Sequence, residues 1–466
     1  MNLLYSFNKK AEFNLVLVEV KNLKKINFHD LTPAQVLLLG YAVVILTGSI
    51  LLTLPIATTN GQGMSFLNSL FTATSATAVT GLIVENTATF FTMFGQIVIL
   101  VLIQIGGLGI MTMSTLFAFL IGKKLTLRHR LVIQEDLDQF QLSGIVRLVR
   151  YVLGVTFTIE GLGAFFLFLR LVKDMPVGKA VYFSIFHAVS AFNNAGFDIF
   201  GNSLENFTSD APINLIICAL IILGGIGFAV IAELYDGKKF KNFSLQTKLV
   251  LSVTLLLLIL GAVFTFALEF SNPETLGNLS WRGKGLAAFF LSVTPRTAGF
   301  NTVPTGALRT STLFFIIVLM FIGASPGSTG GGVKTTTFGA LIAVLYTTAT
   351  GKEDVELYKR RISKDVIYSA VAIIAISLML VVGVTIILSV TEEAAFIDLF
   401  FEAVSAFGTV GLSTGVTGEL SAIGRVLIIF TMFAGRVGPL TIAVAIGERR
   451  KRKANIRYPK EKILVG

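Results

Sequence analysis

Cysteine is almost missing from this chain. Cys218 is the only one, so no internal disulfide can form and no cysteine metal site is available. Histidine is nearly as scarce: His29, His129 and His187 show no metal-ligand spacing, and His187 begins a short apolar stretch where it reads as structural. Charged residues make up only 14% of the 466, against about 25% in an ordinary soluble domain. No nucleophile–base pair and no metal cluster is visible, which argues against an enzyme, and no cofactor is expected on this chain. Residues 1–33 contain no apolar run closed by a small-residue cleavage site, so no cleavable signal peptide is expected.

What is abundant is apolar surface. Hydrophobic residues reach 54%, phenylalanine alone numbers 40, and mean hydropathy is +0.80. Such a chain belongs in a membrane. The net charge of +11 is distributed by topology rather than for nucleic acid. Lys and Arg gather in both termini and in alternate loops, for example Lys123, Arg128, Lys238, Lys241, Lys352, Arg361 and the run Arg449–Lys453. By the positive-inside rule these segments face the cytoplasm, as do both chain ends.

Eight spans of sufficient apolar length are read near 34–54, 92–121, 146–171, 211–234, 247–269, 310–347, 364–390 and 421–447. Shorter apolar stretches near 64–77, 180–193, 283–295 and 395–408 suit re-entrant helices entering from outside. The expectation is an all-α polytopic membrane protein of four similar repeats, at 34–121, 146–234, 247–347 and 364–447. They are flanked by a segment 1–33 and a basic tail 448–466. Acids such as Glu85, Asp198, Glu205, Asp210, Glu274, Glu392, Glu393 and Glu419 populate the opposite face. There they can raise local cation concentration.

Each short stretch runs into the same pattern: SATAVTGL, SAFNNAGF, VTPRTAGF and SAFGTVGL. Their glycines, Gly81, Gly196, Gly299 and Gly411, recur about a hundred residues apart, and such recurrence marks internal repeats. Glycine tolerates φ > 0, and a short helix entering the membrane points a partially negative C-terminus at a cation. Four such loops meeting on one axis would form an ion filter of main-chain oxygens from Val79, Thr80, Gly81, Asn194, Ala195, Gly196, Thr297, Ala298, Gly299, Thr409, Val410 and Gly411. No carboxylate recurs in all four loops, which favours a monovalent ion such as K⁺ over Ca²⁺ or Mg²⁺. Arg296, inside the third loop, is expected to brace the filter from behind, with Glu402 as its partner.

A second glycine landmark follows in each repeat: IGGLG (Gly106, Gly107), LGGIG (Gly224, Gly225), the stretch from Gly323, and AGRVG (Gly435). Close helix packing accounts for the first two. The third, GASPGSTGGGVK, cannot remain helical. It is expected to be a gating loop over 323–334, carrying Gly323, Ser325, Pro326, Gly327, Gly330, Gly331, Gly332 and Lys334. Arg436 stands at the matching depth in the fourth repeat. It is not a phosphate-binding loop, because Val333 separates the glycines from Lys334. A voltage-driven pore is the leading reading. The alternative, a strictly coupled K/Na or K/H symporter, fits less well, since the repeats are parallel rather than inverted.

The four glycine loops, the broken GASPGSTGGGVKTT span and the FAGRVGPLT segment resemble the Trk/Ktr/HKT potassium transporter superfamily, and most of all its Ktr membrane (pore) subunits. The resemblance runs from about Thr32 to Gly447. It implies four M1–P–M2 repeats around one pore, a homodimer with two pores, and K⁺ uptake, often Na⁺-stimulated, across a bacterial plasma membrane. It maps the filter glycines onto Gly81, Gly196, Gly299 and Gly411, the gating loop onto Gly323–Lys334 and an inner-pore arginine onto Arg436. It also implies a partner, a cytosolic octameric RCK-type (KtrA-like) ring that binds ATP or ADP.

Overall fold

The structure is a computed structural model. It describes residues 32–109, 145–237 and 239–438, together with Thr112, Leu131 and Thr441. The expected segment 1–33 (save its last two residues), most of the far ends of the second and eighth spans, and the basic tail 448–466 lie outside the described residues.

The first repeat contains α1 (Pro33–Thr53), the short α2 (Phe66–Thr77), a single turn α3 (Thr87–Phe90) and α4 (Met93–Leu108). The second contains α5 (Ile145–Leu171), α6 (Val177–Phe192), α7 (Ala211–Gly225) and α8 (Phe228–Tyr235). The third contains α9 (Leu245–Glu269), α10 (Trp281–Val293), α11 (Thr310–Phe321) and α12 (Thr335–Ala349). A two-residue hairpin, β1 (Glu356–Leu357) with β2 (Arg360–Arg361), precedes the fourth: α13 (Lys364–Thr391), α14 (Phe396–Gly408) and α15 (Ala422–Val437). Helix starts are marked by local chemistry. Thr32 and Gln35 form a reciprocal capping box ahead of Pro33. Ser65, Thr92, Asp210, Ser244, Ser280 and Ser421 each accept an N–H of the following turn.

The first helix of each repeat is the long one. Residues 34–53, 149–171, 245–269 and 364–391 are long and apolar enough to cross a bilayer. Only 28–39% of their most apolar windows is buried. The exposed remainder, such as Val43 and Ile50 on α1 or Ile259 and Val263 on α9, is surface that only lipid or another apolar partner can cover.

The second helices differ from expectation. Interruption was foreseen in the third repeat alone, yet α4 ends at Gly109, α7 gives way to α8 at Gly227, and α15 ends at Gly438, with φ of +84°, +94° and +91°. α7 and α8 bend by 101°. A left-handed residue stops the right-handed helix, and glycine is the residue that takes it without strain. The third repeat has Pro326 in the corresponding place and breaks by its own route.

The repeats form a closed cycle. Each second helix packs on the short helix of the next repeat: α4 on α6, α7 on α10, α11 on α14, and α15 back on α2; α4, α7 and α15 pack on the short helix of their own repeat as well. At one face, a polar tie joins the end of each first helix to the start of the second. Thr92 donates to Ile56 O (2.6 Å), Arg170 pairs with Asp210 (2.6 Å), Glu269 accepts from Arg309 N (3.0 Å), and Glu392 accepts from Ser421 N (2.8 Å) and Oγ (2.6 Å).

The Glu392 tie gives a stability prediction. Partial burial pushes its carboxyl up. Donors from Ser421, Thr391 and Gly424 outweigh that and hold it below the usual glutamate value. A depressed carboxyl contributes stability above its unfolded pKa and loses it as pH falls through the folded one. Glu392→Gln is therefore expected to lower Tm at neutral pH by a few degrees, about the loss of one or two charge-assisted hydrogen bonds. Thermal melts of the two proteins should converge at acidic pH.

Candidate ion pathway

The four short helices end on the glycine loops, and the loops share one backbone plan. Two residues before each glycine the chain turns left-handed, at Val79 (φ +56°), Asn194 (+59°), Thr297 (+70°) and Thr409 (+50°). The glycines follow at +95°, +70°, +76° and +91°, and the residue between keeps a negative φ. In an extended strand successive carbonyls point to opposite sides. Reversing the hand at every second residue brings them to the same side. A non-glycine residue held left-handed costs about 1–2 kcal/mol, and repetition at four matched sites marks a constrained function.

The glycines also meet. A β-carbon on Gly81 would lie 2.5 Å from Ala195 O; on Gly196, 2.9 Å from Ala298 O; on Gly299, 2.4 Å from Val410 O; on Gly411, 2.1 Å from Thr80 O. The ring runs through the repeats in order and closes. Each glycine faces a peptide oxygen of the next loop with no room for a side chain.

Hydroxyls fix these loops from behind. Ser75 and Ser405 accept the N–H of Gly81 (3.0 Å) and Gly411 (3.1 Å), while Ser190 and Thr294 donate to the carbonyls of Phe197 and Phe300. Sequence reasoning passed over this role. The signal was present, a hydroxyl at or beside the first position of each motif. The Asn194 carboxamide meets the Thr297 hydroxyl at 3.2 Å, joining two loops directly.

The expected pairing of Arg296 with Glu402 does not form. Arg296 is buried and points to Thr254 on α9 (3.3 Å). Glu402 accepts from Thr417 (2.7 Å) and from Ser413, which ties α14 to the segment that follows its own glycine loop. Glu402 is thus met within its own repeat, whereas Arg296 keeps this one bond to a neutral hydroxyl and its Nη1 is buried without a partner. His187 likewise bridges its own repeat, between Phe183 O (2.7 Å) and Ile199 N (3.3 Å). Among the acids of this face, Asp198 and Glu205 are engaged in hydrogen bonds to Phe200 N and Asn301.

On the other side of the ring lies 323–334. Ser325 N and Thr329 N donate to Gly225 O (3.0 Å) and Gly224 O (3.2 Å), and Phe228 N donates back to Gly327 O (2.9 Å). Gly331 N donates to Thr409 Oγ1 (3.1 Å). A β-carbon on Gly330 would fall 2.1 Å from Thr297 Oγ1. Lys334 Nζ donates to Gly330 O (2.9 Å). Arg436 donates to Thr329 O in the loop and to Gly106 O on α4. The stretch thus touches elements of the second, third and fourth repeats, and Arg436 links it to the first. The second-helix glycines make this approach possible. β-carbons on Gly106, Gly224 and Gly435 would overlap Thr77 O, Phe192 O and Phe407 O at 2.0, 1.8 and 1.9 Å. The close packing expected at Gly106 and Gly224 is present.

A sequence model of the TrkH family, described as a cation transport protein, matches residues 13–453. The chain belongs to the TrkH cation transport family. It is a membrane transporter and not an enzyme. Among its TrkH-family relatives is the Ktr system potassium uptake protein B of Bacillus subtilis, 43% identical over 95% of this chain and 99% of that protein. The protein of the same name from Vibrio alginolyticus is 39% identical over 93% of this chain and 94% of that one. The potassium/sodium uptake protein NtpJ of Enterococcus hirae is also 39% identical, over 94% and 98%. The crystal structure of the TrkH potassium transporter from Vibrio parahaemolyticus superimposes with a TM-score of 0.69, covering 91% of this chain and 86% of that one, at 17% identity. That likeness supports the TrkH fold: helical, polytopic and membrane-bound.

Gly81→Ser places a β-carbon where Ala195 O stands and a side chain at φ +95°. The displaced oxygen should reduce K⁺ preference over Na⁺ by about tenfold, as expected for 1–2 kcal/mol of misfit. Relative permeability from bi-ionic reversal potentials checks this. An unchanged ratio would count against the expectation that Gly81 lines an ion filter.

Proposed function

We propose that this chain takes up K⁺ through the axis bounded by the four glycine loops, as a gated, channel-like pore driven by membrane potential. The observation that carries the reading is the cyclic contact of Gly81, Gly196, Gly299 and Gly411 with the carbonyl preceding the next glycine. Rings of peptide oxygens replace the hydration shell of an alkali cation. The backbone plan that turns oxygens of Val79, Thr80, Asn194, Ala195, Thr297, Ala298, Thr409 and Val410 to one side supports it. The partial negative ends of α2, α6, α10 and α14 favour a cation at the same place. The printed names of the relatives support potassium, with sodium as a second ion. A membrane potential supplies about 2.3 kcal/mol per charge per 100 mV, enough for accumulation without ATP hydrolysis by this chain.

The stretch 323–334 is the gate. It is pinned by backbone hydrogen bonds to α7 and by the guanidinium of Arg436, which joins it to α4. Hydrogen bonds from a charged donor are worth roughly 1.5–3 kcal/mol each, so Arg436 biases the loop strongly toward its pinned state. The chain acts as part of a Ktr system. It forms a homodimer in a bacterial plasma membrane with both termini cytoplasmic, is stimulated by Na⁺, and rests on a cytosolic octameric RCK-type ring that binds ATP or ADP. The basic loops and tail supply the docking face.

The decisive experiment is K⁺ flux into proteoliposomes under imposed voltage, with and without the ring. Flux should follow voltage alone, and single openings should exceed carrier turnover. Strict dependence of K⁺ movement on a fixed number of Na⁺ or H⁺ would replace the pore with a symporter. Removing part of 324–332, or Arg436→Gln, is expected to raise ring-free flux about tenfold, the loss of roughly one charge-assisted hydrogen bond. Unaltered or abolished flux in a well-folded variant would disprove the gate.

A further inference from the structure

One buried carboxylate takes no part in the pathway described above. Glu160 sits midway along α5, 5% exposed. Asn193 Nδ2 donates to its Oε1 (2.8 Å) and Gln104 Nε2 to its Oε2 (3.3 Å). Both donors are neutral amides, and no cation among the described residues pairs with it. A carboxylate offers about four lone-pair sites, so two amides leave it half satisfied. An ionised acid at membrane depth with only neutral partners is costly, and a cation seated beside it offsets that cost.

Glu160 and Gln104 form the polar floor of a cavity of 390 Å³ between α4, α5 and α6. Its walls are apolar, with Leu100, Phe157, Ile185 and Val189 among them. Phe157 and Ile185 are about half exposed, so the cavity opens sideways on the surface that faces lipid. Gly161, beside Glu160, also lines it, and a β-carbon there would meet nothing within 4 Å. A missing side chain keeps the space open.

We propose that this cavity binds a hydrophobic primary amine, its ammonium seated on Glu160 and its alkyl chain along the apolar walls. The charge is complementary, two of an ammonium's three donors can fill the two open lone-pair sites, and the wall chemistry suits an alkyl tail. The site borders the pathway: Asn193, which holds Glu160, is also the residue on which a Gly107 β-carbon would fall, 2.0 Å from Oδ1. An occupant would act on the end of α4 and the start of the second glycine loop together. The inference does not depend on which ion the pathway carries.

The test is thermal stability of the full chain in lipid nanodiscs, titrated with dodecylammonium and, separately, with neutral dodecanol. For the wild type, dodecylammonium should raise Tm saturably and dodecanol should not. Gly161→Leu fills the cavity at an open helical position, leaves Glu160 in place, and should abolish the saturable rise. Glu160→Gln should increase the half-saturating concentration by about tenfold or more, the loss of one charge-assisted contact. No saturable rise in the wild type, an equal rise in Gly161→Leu, or an equal response to dodecanol would each overturn the site. Should Glu160→Gln not fold, the Gly161→Leu comparison decides alone.

Discussion

A peptide oxygen and a β-carbon cannot share a space 2.1 Å across. That exclusion fixes the centre of the molecule. Gly411 faces Thr80 O at this separation, and Gly81, Gly196 and Gly299 face their neighbours at 2.4–2.9 Å. Four backbones approach so closely only where none carries a side chain on the inner side. The rest of the fold serves this approach. The short helices deliver the loops, the hydroxyls of Ser75, Ser190, Thr294 and Ser405 hold them, and each second helix packs on the short helix of the next repeat.

A second tier of glycines repeats the logic one layer away. Gly106, Gly224 and Gly435 leave room for the carbonyls that end the short helices, Thr77, Phe192 and Phe407. With the second helices drawn in so far, left-handed glycines end them at Gly109 and Gly438, and at Gly227 the chain bends by 101° into α8. The third repeat departs from this. Pro326 stands in place of the bending glycine, and the chain from Gly323 to Lys334 spends its hydrogen bonds on its neighbours: Gly224, Gly225, Thr409 and, through Arg436, Gly106. Irregular backbone at membrane depth is tolerated only when its polar groups are met in this way.

Much of this was legible in the sequence, and what was not has a physical reason. The four long and four short helices fall within a few residues of the stretches read from apolar length, because hydrophobic span is a local property. The glycine period located the ring, since left-handed backbone leaves a compositional trace. The left-handed turns at Val79, Asn194, Thr297 and Thr409 left none: three residue types at four sites adopt one conformation imposed by neighbours. The breaks at Gly109 and Gly227 were hidden by unbroken apolar runs. The Arg296–Glu402 pairing failed because opposite sign is a weak guide to partner choice: Glu402 is met by Ser413 and Thr417 in its own repeat, and Arg296 faces Thr254.

The placement of cations explains how one set of dipoles can serve two states. The short helices converge with their partially negative ends, and the loops add peptide oxygens, so the axis needs positive charge. Beneath the ring, Arg436 and Lys334 supply it through bonds to Thr329 O, Gly106 O and Gly330 O. Under the proposed function a permeating K⁺ supplies the same charge from above. Cation and guanidinium then compensate one field and repel each other at close range. Displacing the loop with Arg436 removes the competitor as it opens the path, so release of the latch and entry of the ion favour one another by the same electrostatic term.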